Sequence, residues 1–153
     1  MAIEAPLSQH SKNSLIIAIV ALLAFAAWTV YDGFYRESFI KEHTGEDGKP
    51  DSTLLFNQKS PPYLLIVAGM VGLRLFLIRK RKIVAQECDL VIDGKMQIAY
   101  DAIQQIDKTH FDKKGFFVVS YTDAQGRLRK QRFDDRKYDN MKAILDHLVA
   151  QIS

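Results

Sequence analysis

Apolar residues fall into two long uninterrupted blocks in the first half of this chain and into short alternating runs in the second half. Residues 15–30, LIIAIVALLAFAAWTV, carry no charge, and Ser14 and Tyr31 extend the block to about the length that crosses 30 Å of hydrocarbon. Residues 63–78, YLLIVAGMVGLRLFLI, form the second block, about 24 Å long as a helix. Transmembrane helices are therefore predicted over 14–31 and 62–79. Trp28, Tyr31 and Tyr63 stand where interfacial aromatics anchor a span, and Pro61 and Pro62 suit a helix start, where a missing N–H is no loss. Ala68 and Gly72 form a small-xxx-small pair that lets a second helix, most simply the first span, approach closely. A secretory leader is the rival reading of the first block, with an A-x-A site at Ala24, Phe25 and Ala26. Its weak charged region, Lys12 beside Glu4, and an apolar stretch that runs past Ala26 favour an uncleaved anchor.

Beyond residue 80 the pattern changes to strand-length runs broken by turn residues. Residues 82–86 and 89–92 lead to Asp93-Gly94, a hairpin signal, and Met96, Ile98 and Tyr100 alternate with Gln97 and Ala99. The pattern continues through Ile103 and Ile106 to a turn at Lys113-Lys114-Gly115. FFVVSY, residues 116–121, is the strongest strand by propensity, and residues 122–126 turn the chain back into 127–133. Five or six antiparallel strands are expected. Asp134 or Asp135 is expected to cap a closing helix in which Tyr138, Met141, Ile144, Leu145, Leu148, Val149 and Ile152 recur at helical spacing. Its polar face is mixed in sign, which favours packing on the sheet over lying on a membrane. The expected core combines Leu90, Ile92, Ile98, Ile103, Ile106, Phe117 and Val119 with Ile144, Leu145 and Leu148.

The 153 residues leave room for little more than one domain, and 48% hydrophobic with 25% charged residues excludes collagen-like or wholly disordered chains. The net charge of +3 matters less than its distribution. Between the two blocks six carboxylates face four basic residues, whereas from Arg79 onward 15 basic residues face 11 acidic ones. Arg79, Lys80, Arg81 and Lys82 directly follow the second block. The positive-inside rule then places both termini in the cytoplasm and the loop 32–61 outside, with an irregular turn over 44–51. Arg74 lies one turn before this cluster and is read as snorkelling to the same interface, the rival being an intramembrane charge paired with a partner. Cys88, the single cysteine, excludes an intrachain disulfide and is expected to be a buried thiol.

The layout is thus a short tail (1–13), a two-helix transmembrane hairpin with an extracytoplasmic loop, and a small α+β domain over 80–153. A meander of short strands closed by one helix directly after a membrane hairpin resembles bacterial pleckstrin-homology-like domains attached to transmembrane segments. The resemblance rests on this order of elements, on IAYDAIQQID at 98–107 and on FFVVSYTDAQGRLRKQRF at 116–133. It implies a binding or scaffolding module in a bacterial cytoplasmic membrane, commonly without catalysis, and does not imply phosphoinositide recognition. The family's usual seven strands exceed the five or six expected here.

No pattern marks a catalyst, a cofactor site or a metal site. His10, His43, His110 and His147 have no ligand spacing, the glycines form no phosphate loop, and Ser120 sits within a strand. Asp101 with Asp107, and Asp134 with Asp135, read as turn and cap residues. The run Arg127, Arg129, Lys130 and Arg132 puts charge on both faces of one strand. That pattern suits either a protected sheet edge or a contact surface for an acidic partner or lipid head groups. Nucleic acid is not expected, because interleaved stacking aromatics are missing. The expected role is a non-enzymatic accessory, assembly or scaffolding subunit of a membrane complex, in contact with lipids and with integral membrane partners. The alternative is an independent tethered module that binds lipid head groups or a cytoplasmic protein.

Overall fold

The computed structural model describes residues 2–152, which divide into two compact units. The first comprises the N-terminal residues up to Lys12 together with the chain from Ile78 onward; the second is Asn13–Leu77.

The first unit is built on seven strands. Sheet one has the order β1 (Ile3–Pro6), β2 (Lys82–Ala85), β3 (Asp89–Ile92), β4 (Met96–Ala99), all antiparallel. The N-terminal segment, expected as a tail, is thus an edge strand paired with residues far along the chain, Ile3 with Ala85 and Pro6 with Lys82. Alternation explains it: Ala5 and Leu7 point inward and are buried, while Glu4 and Pro6 are exposed, and Pro6 is tolerated because the strand lies at an edge. The two helical blocks are therefore inserted between consecutive strands of one sheet, and a fragment beginning at Lys82 lacks one of them. Asp93 and Gly94, both at positive φ, make the expected tight hairpin between β3 and β4.

Sheet two has the order β5 (Ile103–Asp107), β6 (Phe116–Thr122), β7 (Leu128–Asp134). A one-turn helix α4 (Phe111–Lys114) precedes β6 and ends on Gly115 at φ 70°. A Cβ there would crowd the Asp135 carboxylate, and the left-handed backbone itself favours glycine. The closing helix α5 (Met141–Ile152) starts later than the expected cap at Asp134 or Asp135. Asp134 instead caps a turn, accepting the Arg136 N–H at 3.1 Å, and Tyr138 leaves the helical pattern to enter the core beside Leu7. Met141, Ile144, Leu145 and Leu148 form the buried face of α5.

The core of this unit contains nine of the ten expected residues; Ile106 is only partly buried. Ala5, Ile83, Ala85, Tyr100, Phe133, Tyr138 and Met141 join them, and the Phe117 and Phe133 rings stack with centroids 5.2 Å apart. Cys88 is exposed in the turn between β2 and β3, not buried, because it falls in the break between two strands rather than at an inward position.

The second unit holds most of two long helices, α1 (Gln9–Val30) and α3 (Ser52–Ile78), with a π-helical turn Tyr31–Tyr35 and a short α2 (Glu37–Glu42) between them. Each long segment, 27 residues over Gln9–Tyr35 and over Ser52–Ile78, is long and apolar enough to cross a membrane. Both helices begin earlier than expected. Ser8 caps α1 by accepting the Ser11 N–H on Oγ at 3.2 Å, and Asp51 caps α3 by accepting the Leu54 N–H at 2.8 Å. Pro61 and Pro62 accordingly lie inside α3 rather than at its start. Helical bonding from their positions would reach the carbonyls of Asn57 and Gln58, which therefore lose an intrahelical donor. The closest backbone approach is outside the expected pair, at Gly33, which lies against the Asn57 backbone. Ala26 and Ala68 are buried, and the nearest atom to a Cβ at Gly72 is the end of the Ile19 side chain at 4.0 Å. Within the loop, Thr44–Pro50 close a turn.

Candidate functional site

Three groupings collect the polar chemistry of the molecule. The first lies where α1 passes into the π-helical turn. Asp32 is buried, accepts the Trp28 indole N–H at 2.6 Å and faces the Arg36 guanidinium at 3.4 Å. Gly33, next to Asp32 in the π-helical turn, lies against the Asn57 backbone of α3. Gln58 donates to the Gly33 carbonyl at 3.1 Å, and Asn57 and Ser60 bring further buried polar groups from α3. Trp28, read from the sequence as an interfacial ring, is thus also the partner of a buried carboxylate. Tyr31 and Tyr63 are exposed.

The second grouping is the basic run after α3. Arg74 is exposed on the helix. Lys82 opens β2 and forms an ion pair with Glu4 of β1 at 2.6 Å, and Arg81 stands 3.9 Å from Asp93. The Arg81 carbonyl accepts the Leu7 N–H at 3.0 Å. Half of the run is therefore folded into the sheet, while Lys80 is exposed and Arg79 precedes the strand. Tyr138 donates its hydroxyl to Asp93 at 2.9 Å. Burial, then this carboxylate, pushes the phenol above its ordinary range.

The third is β7, an edge strand of sheet two. Arg127 and Arg129 converge on Asp123 at 3.2 and 3.1 Å, and Arg132 pairs with Asp134 at 2.9 Å and stacks 3.7 Å over the Phe116 ring. Lys130 is exposed. The Arg127 backbone N–H first, then the Arg129 guanidinium and the Gln125 N–H, hold the Asp123 carboxyl at about 2 despite some desolvation. Three of the four basic residues are thus bound to carboxylates of their own hairpin or its end. Their aliphatic stems and charges line an unpaired edge, an arrangement that discourages strand addition.

Other candidate carboxylates serve turns. Asp107 accepts from Thr109, first its side chain and then its N–H, which lowers its pKa. Asp51 is lowered chiefly by the Leu54 N–H and next by His43, whose Nδ1 lies 2.7 Å away. Tyr100 donates to the Gln86 carbonyl at 2.7 Å, and burial, with Asp89 and Cys88 nearby, pushes its hydroxyl up to about 12. Asp32 and the role of β1 were not legible beforehand. A lone Asp after an apolar block reads as a loop residue, and IEAP is too short to declare a strand. No family model, no curated protein and no solved structure matches this chain.

Proposed function

We propose that the chain is a two-span integral membrane protein whose small α+β domain lies on the cytoplasmic side. In this reading it serves as a non-catalytic accessory or assembly subunit of a larger membrane complex. The observation that carries the membrane reading is the exposed apolar surface of the helices. Ile17, Val20, Trp28, Ile66, Met70 and Leu73 are among many large side chains more than half exposed, and they spread over a broad outward face of α1 and of α3. A helix with so broad an exposed apolar face is stable in hydrocarbon or inside a larger assembly, not in water. Uncleaved retention of the first span is supported by β1, because cleavage after Ala26 would remove Ala5 and Leu7 from the core.

The bacterial cytoplasmic membrane and the orientation with both ends inside rest on the resemblance and on the basic run. The pleckstrin-homology-like reading gains support from the strand count, four and three in two antiparallel sheets closed by a C-terminal helix. A subunit role is supported by the spending of polar groups on turns, caps and ion pairs, and by the two outward helix faces left for partner helices. Purification of the tagged chain from native membranes in mild detergent tests it. A stoichiometric integral membrane partner is expected, and recovery of the chain alone at high yield would refute the subunit role.

A further inference from the structure

At one end of sheet one the chain leaves for α1 and returns from α3, and several bonds fix that end. Leu7 donates to Arg81, Asp93 donates its N–H to the Lys82 carbonyl at 2.8 Å, and Leu7 bridges Tyr138. The β3–β4 turn and the segment after β7 are thereby drawn to the same end. Between them opens a cleft of about 250 Å³, with Ile83, Ile92, Met96 and Phe133 among its lining and Lys95 and Lys137 at its polar side.

The charges of this cleft are unequal. Its carboxylate, Asp93, already accepts the Tyr138 hydroxyl and faces Arg81. Arg132 commits its guanidinium to Asp134 and the Phe116 ring. Lys95 and Lys137 are both exposed, and neither forms an ion pair among the described residues. Lys137 lies 5.3 Å from the Tyr138 ring centroid and has no carboxylate partner among the described residues. Two exposed ammonium groups beside an apolar wall suit an amphiphilic anion better than a small solvated ion, since a lysine binds phosphate as a point charge while apolar lining receives the attached carbon chain. Lys82, bonded to the turn that carries Lys95, follows the end of α3 at Ile78 by four residues, a reach of about 14 Å at most.

We propose that this cleft binds the phosphate of an anionic glycerophospholipid, with Lys95 and Lys137 as its ligands. The inference rests on the membrane reading above, which puts lipid phosphates within that reach. The test uses the full chain in neutral detergent, with binding of dihexanoyl phosphatidylglycerol measured by native mass spectrometry beside dihexanoyl phosphatidylcholine and inorganic phosphate. Phosphatidylglycerol should bind the wild-type chain preferentially. The double variant Lys95→Gln/Lys137→Gln should lose at least about tenfold in affinity, at roughly fivefold per surface charge. Lys113→Gln/Lys114→Gln, which removes the same charge outside the cleft, should bind like wild type. Equal binding by the cleft variant, equal loss in the control variant, or equal affinity for inorganic phosphate would each overturn the proposal. Release of the chain from native membranes by alkaline carbonate would instead refute the membrane reading, and the short-chain lipid titration distinguishes the two failures.

Discussion

Leu7→Ala isolates the claim that the N-terminal segment belongs to the small domain. Leu7 is 3% exposed, follows β1, and touches the domain through Arg81 and Tyr138, more than seventy residues away in sequence. Truncating a buried leucine costs about 2 to 5 kcal/mol, and a position at the end of an edge strand, where neighbours can relax, belongs in the lower half, about 2 to 3 kcal/mol. At about 1.4 kcal/mol per factor of ten, that is roughly 30- to 150-fold in the population of the open state. For a unit of this size it lowers the melting temperature by about 10 to 20 °C. Hydrogen exchange followed by mass spectrometry on the full chain in detergent is the appropriate assay. The single tryptophan, Trp28, lies in α1 and does not report on this unit. Amides of β2 and β3 should lose protection by that factor, while those of α1 and α3 keep theirs. Leu145→Ala, a buried position on α5, provides the internal standard. If Leu145→Ala accelerates exchange and Leu7→Ala leaves β2 and β3 protected as in wild type, the N-terminal strand is not part of the fold.

Gly33→Ala should weaken helix–helix packing by about 1 to 3 kcal/mol, since its Cβ would meet the Asn57 backbone carbon at 3.0 Å, where no side chain can yield. Gly69→Ala meets nothing within 4 Å and should unfold like wild type in detergent melts. Asp123→Asn addresses pH. The folded carboxyl sits at about 2 against an ordinary 3.8, so its contribution is present above the ordinary value and lost as pH falls from 3.8 toward 2. The variant should show a shallower loss of stability across that window in acid titrations of thermal unfolding, and an unchanged slope would remove Asp123 from the turn's stability.

The hairpin of helices, the β3–β4 and β6–β7 turns, the strand FFVVSY and the helical core face were legible because each is a local pattern. Period, turn residues and length each lie within one contiguous stretch of sequence. What was missed is non-local or register-dependent. β1 consists of four residues with a proline, and its only reason to be a strand is the free edge of β2. Pro61 and Pro62 read as a helix start, but Asp51 provides a stronger cap ten residues earlier, and the helix continues through the prolines. Tyr138 has helical spacing to Met141, yet it is held by Asp93 and Leu7 before α5 begins. The grouping of Lys95 with Lys137 depends on that same closure. No spacing in the sequence could announce it.

The proposed arrangement is a hairpin of two membrane spans inserted between consecutive strands of a cytoplasmic sheet. The most direct measurement is labelling of single cysteines in intact cells by a membrane-impermeant maleimide, in a Cys88→Ser background because Cys88 is itself exposed. Probes at Ala2 and Gln125, on the strand-bearing unit, should react only after the membrane is opened. A probe at Ser52, exposed at the start of α3, should react from outside without it. Labelling of Ser52 and Gln125 from the same side, or of Ala2 and Gln125 from opposite sides, would contradict the account.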